Sequence, residues 1–139
     1  MTLTQTHGQY VARAVSAFGW KRVRVGRGFE KLSHIHRVGV LAHEMGHCHY
    51  HHTEIRILLL LIPFMWLFLP WVCRRQELQA DRYAAKTGFG PELYDFLLQH
   101  GGDGGLLHPS GSDRLAALSS PRMVPVTDHP PARRNRTRS

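Results

Sequence analysis

The sequence predicts a mainly helical (α+β) fold. Several stretches carry apolar residues at helical spacing, only one short segment alternates, and 139 residues leave room for one small domain. Hydrophobic residues make up 42% of the chain, which excludes a wholly disordered protein. The formal net charge is +8, but Arg133, Arg134, Arg136 and Arg138 supply four of the excess charges at the very end. The rest is mildly basic and does not point to nucleic acid as a partner. Two cysteines, Cys48 and Cys73, make no disulfide framework and fit a reducing compartment. Of eleven histidines, seven lie between residues 34 and 52.

Met1 to Gln9 is polar and carries no secretory signal, so the expected location is cytoplasmic, not secreted. Residues 9–18 (QYVARAVSAF) read as a short amphipathic helix with Tyr10, Val11, Val15 and Phe18 near one face, ended by Gly19. Residues 20–27 (WKRVRVGR) alternate, with Val23 and Val25 on one side and basic residues on the other, as in a half-buried strand. Ser33 is placed to cap a long helix running from His34 to at least His52. Residues 74–87 form a further helix closed by Gly88, 91–99 another, and 113–118 a last short one after a Gly/Pro loop. Residues 1–123 are thus one domain, and 124–139 a Pro- and Arg-rich tail with nothing to bury, expected to be disordered.

The chemistry lies in His43-Glu44-Met45-Gly46-His47. Residues four apart on a helix differ by about 40° in azimuth, so both imidazoles leave one face and can share a metal. Two histidines and one carboxylate leave an open position on tetrahedral zinc, the catalytic arrangement, so one Zn2+ per chain is expected. Glu44 sits about 100° from His43, where it can take a proton from an attacking water and pass it to a leaving amine. Gly46 costs the helix about 1 kcal/mol relative to alanine and makes sense if something packs close there. Glu77 and Asp81 follow on the helix 74–87, again four apart. Glu77 fits a third metal ligand, and Asp81 a partner for the second nitrogen of a ligating histidine. The plainer alternative is an exposed acidic pair beside Arg74, Arg75 and Arg82.

In VLAHEMGH (40–47), ELQADRYAA (77–85) and HPSGSDRLAAL (108–118) the sequence resembles the M48 metallopeptidases. This gluzincin group includes membrane-bound CaaX-processing and stress-response proteases. The apolar lead into ELQAD also looks like the M56 peptidases. The resemblance implies a minimal gluzincin-like domain with a zinc helix, a helical hairpin and at most a small β-sheet. It implies zinc ligands His43, His47 and Glu77, general base Glu44, Asp81 behind the ligands, and His108 or Arg114 approaching from the loop side. The activity implied is that of a zinc-dependent metalloendopeptidase acting on a protein or peptide substrate. The segment before the motif is shorter than the family's and shows one strand. The edge of strand 20–27 is the place to hold an extended substrate by β-addition.

Ile57 to Cys73 is seventeen residues without a charge, interrupted by Pro63 and Pro70. One membrane crossing would put His47 and Glu77 on opposite sides, and two would need about 40 residues. A helical hairpin with its tip near Pro63 fits; its apolar tip can pack on the domain, form a homodimer contact or dip into one leaflet. By helical azimuth His36 and His51 approach the His43/His47 face and line the cleft mouth, whereas His34, His49 and His52 point into solvent. Cys48 turns away from the site into packing. The alternative functional reading is a catalytically weak or inactive zinc-binding module that binds a protein partner. A further competitor is a small basic interaction protein acting through its arginine tail.

Overall fold

The computed structural model describes residues 2–6, 11–17 and 19–119. Its strands are β1 (Thr2–Gln5), β2 (Ala12–Ala17) and β3 (Trp20–Val25). The helices are α1 (Arg27–Glu30), α2 (His34–His49), α3 (His52–Leu61), α4 (Leu69–Lys86), α5 (Gly90–His100) and α6 (Gly111–Leu118), with a 3-10 turn at Met65–Phe68 before α4. The described residues therefore form an α+β fold in which helix dominates. The tail 124–139 lies outside them.

The sheet order is β1-β3-β2, with β1 parallel and β2 antiparallel to the central β3. The expected helix over 9–18 is a strand across its described part. Val11 and Val15 satisfy a helical i,i+4 pattern, but Gly19 at φ 91° turns the chain back and Ala12–Ala17 pair in register with β3 from Val25 to Trp20. Pairing with a neighbour outweighs a helical preference spread over only ten residues. The alternation in β3 is as expected: Val23 and Val25 are buried and pack with Phe29, Val40 and Cys48.

α2 is the spine. Val40 and Cys48 face the sheet, while Ala42 joins Ala84, Ala85, Leu93, Leu97 and Leu118 on the other side. Glycine lets its neighbours approach. A Cβ at Gly46 would lie 2.9 Å from Ala80 Cα on α4, and one at Gly39 would lie 2.5 Å from the Leu93 nitrogen on α5. Ser33 caps α2 through the His36 N–H, and Ser110 with Asp113 forms a capping box on α6.

The long helix stops earlier than its pattern predicts. Tyr50 closes α2, His51 sits in the left-handed region at φ 55°, and α3 restarts at His52. α3 and α4 then make the expected hairpin, with Pro70 in the first turn of α4, where its missing N–H costs nothing. The tip does not pack on the domain. Leu61 and Phe64 are each 75% exposed, and Trp66, Leu67, Phe68 and Trp71 are exposed too. Among the described residues no helix is long and apolar enough to cross a membrane.

Candidate metal centre

α2 and α4 cross at Gly46 and Ala80, bringing the two motif faces together. His43, His47 and Glu77 are buried and offer ligand atoms that all lie within 4.8 Å of one another. Burial removes the reading of Glu77 and Asp81 as an exposed acidic pair: they are 5% and 0% exposed. His43 Nε2 stands 3.1 Å from His47 Nε2, and each nitrogen lies 3.4 Å from a different Glu77 oxygen. Tetrahedral zinc with bonds near 2.05 Å separates its ligand atoms by about 3.3 Å, so the spacing fits the ion.

The proton inventory points the same way. Asp81 Oδ1 lies 2.7 Å from His43 Nδ1 and, as a carboxylate, accepts its proton. The His43 Nε2 lone pair is thereby left facing Glu77. The Arg114 guanidinium donates to both Asp81 oxygens at 2.8 and 2.6 Å, which holds that carboxylate in place and below its ordinary pKa despite burial. Acceptors therefore converge on one point, which suits a cation. Without an ion, a proton serves: burial alone would lower the His43 pKa, but Asp81 and Glu77 outweigh it and raise it to about 9. Burial pushes the Glu77 carboxyl up, yet its bonds to His43 and His47 hold it far below the carboxylate range.

A cleft of about 480 Å³ opens onto this centre, lined by Arg13, Ala14, Glu44, Arg56, Leu107 and His108 among others. Glu44 is half-buried on its wall and its carboxylate accepts the Ala14 N–H of β2. His108 is exposed in the loop before α6, with Nδ1 3.5 Å from Glu77 Oε1. All seven candidate residues, His43, Glu44, His47, Glu77, Asp81, His108 and Arg114, thus gather around one point.

Three expectations need correction. Strand 20–27 has no free edge, because β3 is paired on both sides; β2 is the outer strand that borders the cleft. His36 does not line the cleft mouth, since its Nε2 lies 2.8 Å from Asp95 on α5, and His51 is exposed beside Glu54. His34 and His49 are exposed as expected, but His52 is 1% exposed, with Nδ1 2.7 Å from His47 Nδ1. Burial keeps it neutral, with its pKa lowered to about 4. Arg56 also escaped the sequence reading: it donates to Gln76 Oε1 at 2.6 Å and to Glu77 Oε1 at 3.3 Å. Its only signal was the charge directly before the apolar run 57–73. Cys48 is buried in the sheet-side core, as expected.

No family model, curated protein or solved structure matches the chain, so the resemblance to M48 peptidases rests on residues 40–47, 77–85 and 108–118 alone.

Proposed function

We propose that the protein is a zinc-dependent metalloendopeptidase, with His43, His47 and Glu77 holding the ion and Glu44 as general base. The observation that carries this is the buried His43/His47/Glu77 cluster at tetrahedral spacing, with Glu44 beside it in an open cleft. Bound zinc supplies Lewis acidity, activating water and polarising the scissile carbonyl. Glu44 accepts the proton of the attacking water and returns it to the leaving amine, with no covalent intermediate. An extended substrate lies along β2 and competes for the Ala14 N–H, releasing the Glu44 carboxylate. His108, which lines the same cleft with Nδ1 3.5 Å from Glu77 Oε1, is the residue this reading assigns to the substrate carbonyl.

The test is Glu44→Gln compared with wild type on an unfolded protein such as casein. This reading expects full zinc content in both and cleavage only by the wild type. Zinc in both with cleavage by neither supports the zinc-binding module instead. That alternative draws on the engaged state of Glu44, whose carboxylate is already bonded to the sheet.

The same protein is read as resting on the cytoplasmic face of a membrane through the α3–α4 tip. Residues 55–76 contain Arg56, Arg74 and Arg75 and no acidic residue, so an apolar tip rises from a basic base. Trp71 lies under the Arg75 guanidinium at 4.8 Å, an aromatic–cation pair suited to the headgroup level. Ten helical residues of α3 rise about 15 Å, half the roughly 30 Å hydrocarbon core. The wild type should float with vesicles containing anionic lipid, and Phe64→Asp with Trp66→Asp should not. A concentration-dependent dimer that ignores vesicles would make the tip a homodimer contact.

A further inference from the structure

We propose that His52 is a positioning residue for the metal centre: held by Gln79, its neutral imidazole fixes the proton of His47 on Nδ1 and leaves the Nε2 lone pair to the ion. The inference rests on the zinc reading above for its purpose, but its geometry does not depend on it.

His52 follows His47 by five residues. On an unbroken helix that spacing turns the two side chains about 140° apart, out of reach of each other. The left-handed residue His51, at φ 55°, ends α2 and restarts the chain as α3, so His52 faces back toward His47. The two rings meet edge to face with centroids 4.8 Å apart. Their Nδ1 atoms lie 2.7 Å apart, so one of them carries the shared proton.

Which one follows from the far side of His52. Its Nε2 lies 3.1 Å from Gln79 Oε1, and an amide oxygen only accepts, so Nε2 carries a proton and donates it. A neutral imidazole has one N–H, which leaves His52 Nδ1 bare as an acceptor. His47 Nδ1 must then be the donor, and His47 Nε2 is the bare nitrogen, facing His43 Nε2 and Glu77 Oε1. The arrangement matches what Asp81 does for His43 from the opposite side. His43 is set by a charged carboxylate and His47 by a neutral relay. Turning the Gln79 amide over would reverse the whole chain, putting the His47 proton on Nε2, where it would oppose a cation.

Two readouts test this on the full chain. In the zinc-free protein, the imidazole nitrogen shifts of 15N-labelled His47 report its tautomer; zinc affinity comes from competition with a chelator. Wild type should show His47 protonated at Nδ1. His52→Phe fills the space without an acceptor and should mix the tautomers and weaken zinc binding by about 10- to 100-fold. His52→Asn sets an amide oxygen near the lost Nδ1 and should recover most of that loss. Should His52→Phe not fold, Gln79→Leu removes only the outer acceptor and is expected to move the same two readouts in the same direction. A wild-type His47 protonated at Nε2, or His52→Phe and Gln79→Leu with zinc affinity unchanged, overturns the proposal. A wild-type chain that binds no zinc but holds His47 as the Nδ1 tautomer overturns the zinc reading and leaves the relay standing.

Discussion

Gly46→Ala sets two effects of opposite sign against each other. In a free helix alanine gains about 1 kcal/mol over glycine. At this position the new Cβ would stand 2.9 Å from Ala80 Cα, 3.0 Å from Tyr83 Cβ and 3.1 Å from Ala80 O. Ordinary carbon contacts are about 3.5–4.0 Å, so α2 and α4 must separate by roughly 0.5–1 Å. Two of the three contacts involve backbone, which no rotamer change relieves. Overpacking of this kind costs about 1–3 kcal/mol, leaving a net loss of about 0–2 kcal/mol. Function suffers more than stability, because Ala80 lies between Glu77 and Asp81. Moving α4 draws both carboxylates away from His43 and His47, and zinc affinity should drop by about tenfold or more. Urea denaturation of the zinc-free protein and chelator competition read the two quantities separately. A variant stabilised by the full propensity gain, with zinc affinity intact, would refute close α2–α4 packing as the basis of the site.

Other changes separate the roles around the centre. Asp81→Asn leaves the Arg114 guanidinium, whose side chain is 17% exposed, without its carboxylate. Chemical denaturation should register a loss of about 3 kcal/mol, and a change near zero would mean that Arg114 finds another partner. The His43 pKa is raised from 6.5 to about 9, so its contribution in the zinc-free protein is fully present below pH 6.5 and lost as pH rises through 9. Denaturation curves across that window should show a decline of about 3 kcal/mol that His43→Gln flattens. Zinc displaces the same proton, so its affinity should climb by up to about tenfold per pH unit over that range; a flat profile would contradict the shift. Gly39→Ala should be more damaging to folding than Gly46→Ala, because its Cβ would meet the backbone of Glu92 and Leu93 at 2.5–2.8 Å. Equal stability of the two variants would contradict that ranking.

What the sequence made legible was local. His43 with His47 and Glu77 with Asp81 are four-residue spacings, and a helix converts such spacing directly into a shared face. The hairpin was readable because Pro63 and Pro70 and the distance from His47 to Glu77 leave few other paths. What stayed hidden depends on partners far along the chain. β2 carries a pattern that a helix could also use, and only its pairing with β3 decides the matter. β1 has Leu3 as its one apolar residue, and so short a segment does not announce a strand until Val23 and Val25 stand beside it. The break at His51 has no glycine or proline to signal it, although it sets the direction of α3. His52 and Arg56 were missed as a direct result, because their approach to His47 and Glu77 exists only after that turn.

If α2 and α4 together hold one metal ion, elemental analysis of untagged protein, wild type beside Glu77→Ala, should find one zinc per chain in the wild type and a clear loss in the variant. Wild-type protein without zinc, or a variant that retains it fully, would rule out a two-helix metal site.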